Sequence, residues 1–198
     1  MSYWTLNRLK DRIPELQAME PAWSVSAPDM GEFRATHASM AGSRKGIYPI
    51  DPIDKVREFI APAPAVLCVG HIHLPFVRMV DQTLIVNSGS SGQPCYGEKH
   101  GCYAQITWEH GDWSAEIRRV PYDRAATHQA WFDSGILENT DLMTHIIYHE
   151  WRTAKPLVLK WMFEYWPKVN AGDAEEGEVL AWFLEKEQLG VAKLSDRL

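Results

Sequence analysis

A chain of 198 residues, 45% of them apolar, is long enough for one sizeable core or a core with an annex. A net charge of −6 argues against a non-specific nucleic-acid binder, which normally shows a basic face. No apolar stretch reaches bilayer-crossing length, and no basic region leads into an apolar one at the start, so neither a membrane span nor a signal peptide is expected.

Thr5 to Met19 reads as helix, with Leu6, Leu9, Ile13 and Leu16 at helical spacing, Thr5 as its N-cap and Pro14 as a break. Phe33 to His37 is a short strand, and residues 41–46 form a flexible loop. Asp51-Pro52 opens a helix through Ile60: Asp51 can cap it, and Pro52 suits its first turn. Strands follow at Val66 to Val69, Phe76 to Val80, Thr83 to Asn87, Cys102 to His110 and Trp113 to Val120. Asp81-Gln82 and His110-Gly111-Asp112 are turn candidates. After Asp123 the pattern turns helical: Arg124 to Phe132, Asp141 to Trp151, the aromatic stretch from Lys155 to Trp166, and Glu175 to Gln188 capped by Asp173 with Gly190 beyond. Five of the nine tryptophans lie in this last third, and such a helix is packed by more than one neighbour or carries a partner interface.

Cys68, Cys95 and Cys102 are odd in number and lack zinc-knuckle or Cys-x-x-Cys spacing, which predicts reduced thiols in a cytoplasmic protein. His145 and His149 stand four apart on a predicted helix, a spacing able to bind metal, but no His-Glu-x-x-His motif is formed and packing explains them as well. His100, His110 and His128 read as surface or turn residues.

The most informative segment is Gly70-His71-Ile72-His73, directly after the apolar run Val66 to Val69. Were it extended, alternate side chains would share a face and both imidazoles would leave together. Neutral imidazole is a common ligand for transition metals. Asn87-Ser88-Gly89-Ser90-Ser91-Gly92-Gln93-Pro94 follows another apolar run, and His37-Ala38-Ser39 ends a third. The 87–92 loop can cradle phosphate through its N–H groups, or it is a tight turn beneath the histidines. Arg44 and Lys45 either meet a phosphate or are simply solvated. Ser39 and Ser90 have no evident base beside them, which argues against a serine hydrolase.

With these motifs in order, and Val120-Pro121-Tyr122-Asp123 closing a hairpin, residues 4–123 resemble the calcineurin-like metallophosphoesterases, most of all their small bacterial and archaeal phosphodiesterase branch. The resemblance implies an α+β fold, part of an α-β-β-α sandwich. This chain would supply mostly the second, mixed or antiparallel sheet in residues 1–123, with a helical extension in residues 124–198. It also implies a site of two divalent ions (Mn, Fe, Zn or Ni), with His37 and His71 on one and His73 on the other. Asn87, Gly89, Ser90 and Arg44 become candidates for contact with a phosphate-ester substrate. The Asp-x-His, Gly-Asp and Gly-Asn-His motifs of the family's front half are absent, so no catalytic acid or base is identifiable and at most one ion is expected. A single ion on three histidines, or a vestigial metal-free cluster, both fit the residues present. The function implied is metal-dependent phosphoesterase activity. The alternative is a non-catalytic remnant that binds a partner, or a second copy, through the Trp-rich helices.

Overall fold

The structure is a computed structural model that describes residues 2–193; the expected limits at Met1 and Leu198 lie outside it. In chain order it contains α1 (Ser2–Leu9), a 3-10 turn (Lys10–Arg12), α2 (Ile13–Gln17), β1 (Ala22–Ala27), β2 (Gly31–Thr36), α3 (Ile53–Ile60), β3 (Val66–Val69), β4 (Phe76–Val80) and β5 (Thr83–Asn87). There follow β6 (Gly101–Glu109), β7 (Asp112–Val120), α4 (Arg124–Asp133), α5 (Leu142–Thr153), α6 (Leu157–Glu164), α7 (Trp166–Asn170) and α8 (Glu176–Lys186). The chain divides into two compact units, one of residues 19–94 and 100–121, the other of residues 2–18, 95–99 and 122–193.

The first unit is built on a mixed five-stranded sheet of order β1-β2-β3-β5-β4. β2, β3 and β5 run parallel, while β1 and β4 are antiparallel edge strands. Side chains alternate across the sheet, and the alternation sorts the core into two layers. Leu67, Val69 and Ile85 point to one face and pack with Ile47 and with Val56 and Ile60 of α3. Val66, Leu84 and Val86 point to the other, against Ala104, Ile106, Trp113, Ala115 and Ile117 of the β6–β7 hairpin. A strand flanked on both sides should be apolar throughout, and every residue of β5 is buried. Polar ties close the rim. Arg34 forks onto Glu32 at 2.6 and 2.9 Å and donates to the Pro62 carbonyl, and Arg78 donates to the Pro49 and Asp51 carbonyls.

The second unit is helical. One core gathers Ile146 of α5, Leu157 and Trp161 of α6, and Val179, Leu180, Phe183 and Leu184 of α8. Another joins Phe132 of α4 with Tyr148 and Trp151 of α5. Arg124 anchors that second core: its guanidinium lies 4.4 Å from the Trp151 ring centre and donates to the Trp151 carbonyl and the Tyr122 hydroxyl, each at 2.8 Å. The His145–His149 pair holds chain rather than metal. His149 Nε2 donates to the Gly190 carbonyl at 3.0 Å, and His145 Nδ1 accepts from the Ala192 N–H at 3.2 Å.

Several local expectations are corrected. β1 was not foreseen. Thr5 lies inside α1 instead of capping it. Pro52 is the N-cap of α3, and Asp51 instead accepts from the Tyr48 N–H and from Lys55. The aromatic stretch is two helices, because Pro167 cannot continue α6 and starts α7. Glu175, not Asp173, precedes α8. His128 is no surface residue: it is half-buried in α4, with Nε2 2.9 Å from the Tyr148 hydroxyl.

Candidate metal centre

Parallel pairing makes the site. β2, β3 and β5 deliver their carboxyl ends to one edge of the sheet, the edge at which open α/β sheets place ligands. The residues just beyond those ends are His37, Gly70 to His73, and Ser88. The ladder continues past the strands: the Gly70 N–H donates to the His37 carbonyl and the Ser88 N–H to the Val69 carbonyl, both at 3.0 Å.

The Gly70–His73 segment is not extended. The Ile72 N–H donates to the Gly70 carbonyl at 2.8 Å, closing a three-residue turn with His71 at its centre and φ +66°. His73 has φ +59°. Two left-handed residues one apart replace the strand alternation that the sequence suggested. Such backbone is uncommon outside glycine and costs on the order of 1–3 kcal/mol per residue, strain that concentrates at functional sites.

The turn swings His71 onto His37. His37 Nε2 and His71 Nδ1 are 3.1 Å apart, and the rings meet edge to face with centres 5.1 Å apart. Burial pushes the His71 imidazole below its ordinary pKa, with neighbouring His37 acting in the same direction; a hydrogen bond to the Arg44 backbone opposes the shift, as an acceptor carbonyl does. His73 is lowered too, by burial first and then by His71, against a backbone hydrogen bond to Gln93. Both rings therefore favour the neutral, ligand-competent form.

The other candidates sit around this group. Asn87 is fully buried, and its amide is committed: Nδ2 donates to the Gly70 carbonyl at 2.7 Å and Oδ1 accepts from the Gly89 N–H at 3.0 Å. Asn87 thus ties the β5 loop to the base of the histidine turn. Gly89 is buried with φ +78°, and an added Cβ would stand 3.0 Å from Cys102. Ser90 Oγ accepts from the Gln93 N–H, and its carbonyl from the Cys102 N–H. Arg44 is exposed on the loop after His37. Gly46 was missed as an individual residue. It is buried against His71 and Ile72, and the only sequence signal was a glycine closing that loop.

The His37–His71 pair has the spacing of two ligands on one ion, whereas His73 does not join them in a three-ligand cluster among the described residues. Two imidazole nitrogens on one tetrahedral centre stand roughly 3.3 Å apart when each metal–nitrogen bond is about 2.0–2.1 Å. The 3.1 Å between His37 Nε2 and His71 Nδ1 is already close to that.

No family model and no curated protein matches the chain. Solved structures do. The chain is similar to a hypothetical protein from Pyrococcus horikoshii OT3, at 18% identity and TM-score 0.58, over 74% of this chain and 56% of that one. It is also similar to a metallophosphoesterase from Sphaerobacter thermophilus, at 22% identity and TM-score 0.55, over 68% of this chain and 62% of that one. The likeness shows a shared fold, that of the solved metallophosphoesterase. The matches span less than two thirds of either structure's own length.

Proposed function

We propose that this chain is a metal-dependent phosphoesterase domain in which His37, His71 and His73 hold one divalent ion, of Mn, Fe, Zn or Ni. The observation that carries the reading is the pair of imidazole nitrogens 3.1 Å apart at the carboxyl ends of parallel strands. A bound ion supplies charge for a phosphate oxygen and acidifies a water for attack on phosphorus. His37 and His71 are the principal ligands and His73 the third. The strained turn and the Asn87 clamp support the rings, and Arg44, exposed on the loop after His37, is the candidate contact for a substrate phosphate. The absence of a disulfide among the described cysteines accords with a reducing, cytoplasmic setting. Among the described residues no helix is long and apolar enough to cross a membrane.

Calorimetric titration with Mn²⁺ or Zn²⁺, beside hydrolysis of a chromogenic phosphodiester, tests the reading. His71→Asn, which tolerates the turn but removes the imidazole, is expected to lose both signals. Binding and turnover that survive that substitution refute it.

A second reading is favoured by exposed apolar groups on the helical unit: Met162 and Phe163 of α6, Trp166 of α7 and Trp182 of α8. Under it the chain is a non-catalytic module docking a partner or a second copy. Absence of metal binding and turnover, together with a mass that rises with concentration, would select it.

A further inference from the structure

The chain leaves α8 through a turn and comes back to α5, where two histidines hold it. The Leu189 N–H donates to the Leu184 carbonyl at 2.9 Å, and Gly190 takes a φ of +68°, an angle that suits glycine. The residues beyond run back along α5 from His149 to His145. His149 Nε2 lies 3.0 Å from the Gly190 carbonyl, and the Ala192 N–H donates to His145 Nδ1 at 3.2 Å. Ala192 is buried and packs with Phe132, Leu137, Tyr148 and Trp151, and His145 is buried as well.

The two bonds answer a proton in opposite ways. A carbonyl only accepts, so the bond to Gly190 uses a ring N–H of His149, which protonation leaves in place. An amide N–H only donates, so the bond from Ala192 needs a bare Nδ1 on His145. Protonated, that nitrogen carries a hydrogen of its own, and two donors face each other. We propose that His145 is a proton-operated latch: neutral, it holds residues 191–193 on α5; protonated, it releases them about Gly190 and uncovers the core of Phe132, Tyr148 and Trp151. The surroundings set the range. Burial holds the His145 imidazole below its ordinary value of 6.5, while the carboxylates of Glu138 and Asp141, which lead into α5, act the other way. Tyr148 and His149, on the following turn of α5, and Lys193, beside Ala192, are its further titratable neighbours in the two segments joined. His128 of α4 turns to the Tyr148 hydroxyl instead. Released, His145 takes a proton at its ordinary value, so the latch is complete above pH 6.5 and weakens as pH falls below it. The latch lies within the helical unit and owes nothing to the metal reading.

The test is proton–nitrogen NMR of the full chain, without added metal, from about pH 7.5 down to about pH 5. The ring nitrogens of His145 report its protonation, and amide hydrogen exchange, corrected for its intrinsic pH dependence, reports the segment. Protection of the Ala192 amide is expected to fall about 10-fold or more, the ratio set by one hydrogen bond of ordinary strength, with the midpoint of His145. The amide of Phe183, fully buried in α8, should keep its protection. His145→Asn, whose amide oxygen accepts without titrating, should keep Ala192 protected at both ends of the range. The inference is overturned if Ala192 stays protected while His145 titrates, or if His145 stays neutral throughout. It is overturned equally if Ala192 and Phe183 open together, or if His145→Asn loses protection in acid as the unsubstituted chain does. Should His145→Asn not fold, the paired midpoints in the unsubstituted chain decide alone.

Discussion

Asn87→Ala offers the sharpest energetic test of how the site is built. The side chain is fully buried and serves two backbone groups, the Gly70 carbonyl and the Gly89 N–H. Truncation leaves both without their partner in a place short of water. Each orphaned buried group costs about 1–3 kcal/mol, so the expected loss is about 2–6 kcal/mol. At the middle of that range, the melting temperature of a chain this long falls by roughly 8–16 °C. Asn87→Asp should not rescue it, because a carboxylate accepts from Gly89 but opposes the Gly70 carbonyl. Urea unfolding followed by circular dichroism measures the change. The clamp also fixes the start of the histidine turn, so Mn²⁺ affinity should fall in the protein that remains folded. A stability loss under about 1 kcal/mol would refute the argument and leave Asn87 free for a role toward substrate.

Two further outcomes follow from the geometry. His71, His73 and His145 are all held below their ordinary value of 6.5, burial being the largest cause in each. The unfolded chain therefore takes up protons near pH 6.5 that the folded chain refuses, and stability, fully present above that value, declines as pH falls through it. Urea midpoints should be level from pH 8 to 7 and lower at pH 5; a midpoint that holds or rises at pH 5 contradicts the assignment. In the helical unit, Arg124→Ala removes the guanidinium from Trp151 and two 2.8 Å hydrogen bonds, for an expected loss of about 2–4 kcal/mol. Arg124→Lys should recover little of this, since an ammonium lacks the fork. Tryptophan fluorescence during unfolding reads it, and near-neutral behaviour of Arg124→Ala would show that the contacts are incidental.

The strands of the site were legible where apolar, β-branched runs end at turn residues: β3, β4 and β5 have the bounds that composition suggests. β1 escaped notice, although Trp23 and Val25 alternate with serines between Pro21 and Pro28, because the strand is exposed and its apolar signal weak. His37 and His71 could be named but not joined. Their meeting depends on β2 pairing in parallel with β3, Ala35 beside Cys68, and such long-range pairing leaves no local mark. The turn was misjudged for a different reason. Histidine tolerates the left-handed region without advertising it, so an extended segment and a double left-handed one look alike in sequence. Gly46 reads in sequence only as part of a loop, and Asn87 only as a strand end and candidate phosphate contact, since what they do depends on neighbours 25 and 17 residues away, His71 and Gly70.

The positive φ angles at residues 71 and 73 also govern how natural variation here should be interpreted. Glycine or asparagine at either place keeps the bend while discarding the imidazole, so a homologue carrying them has retained the architecture and abandoned the chemistry. Valine, isoleucine or proline there signals something else, a rebuilt strand end whose ligands, if any, must come from another part of the polypeptide.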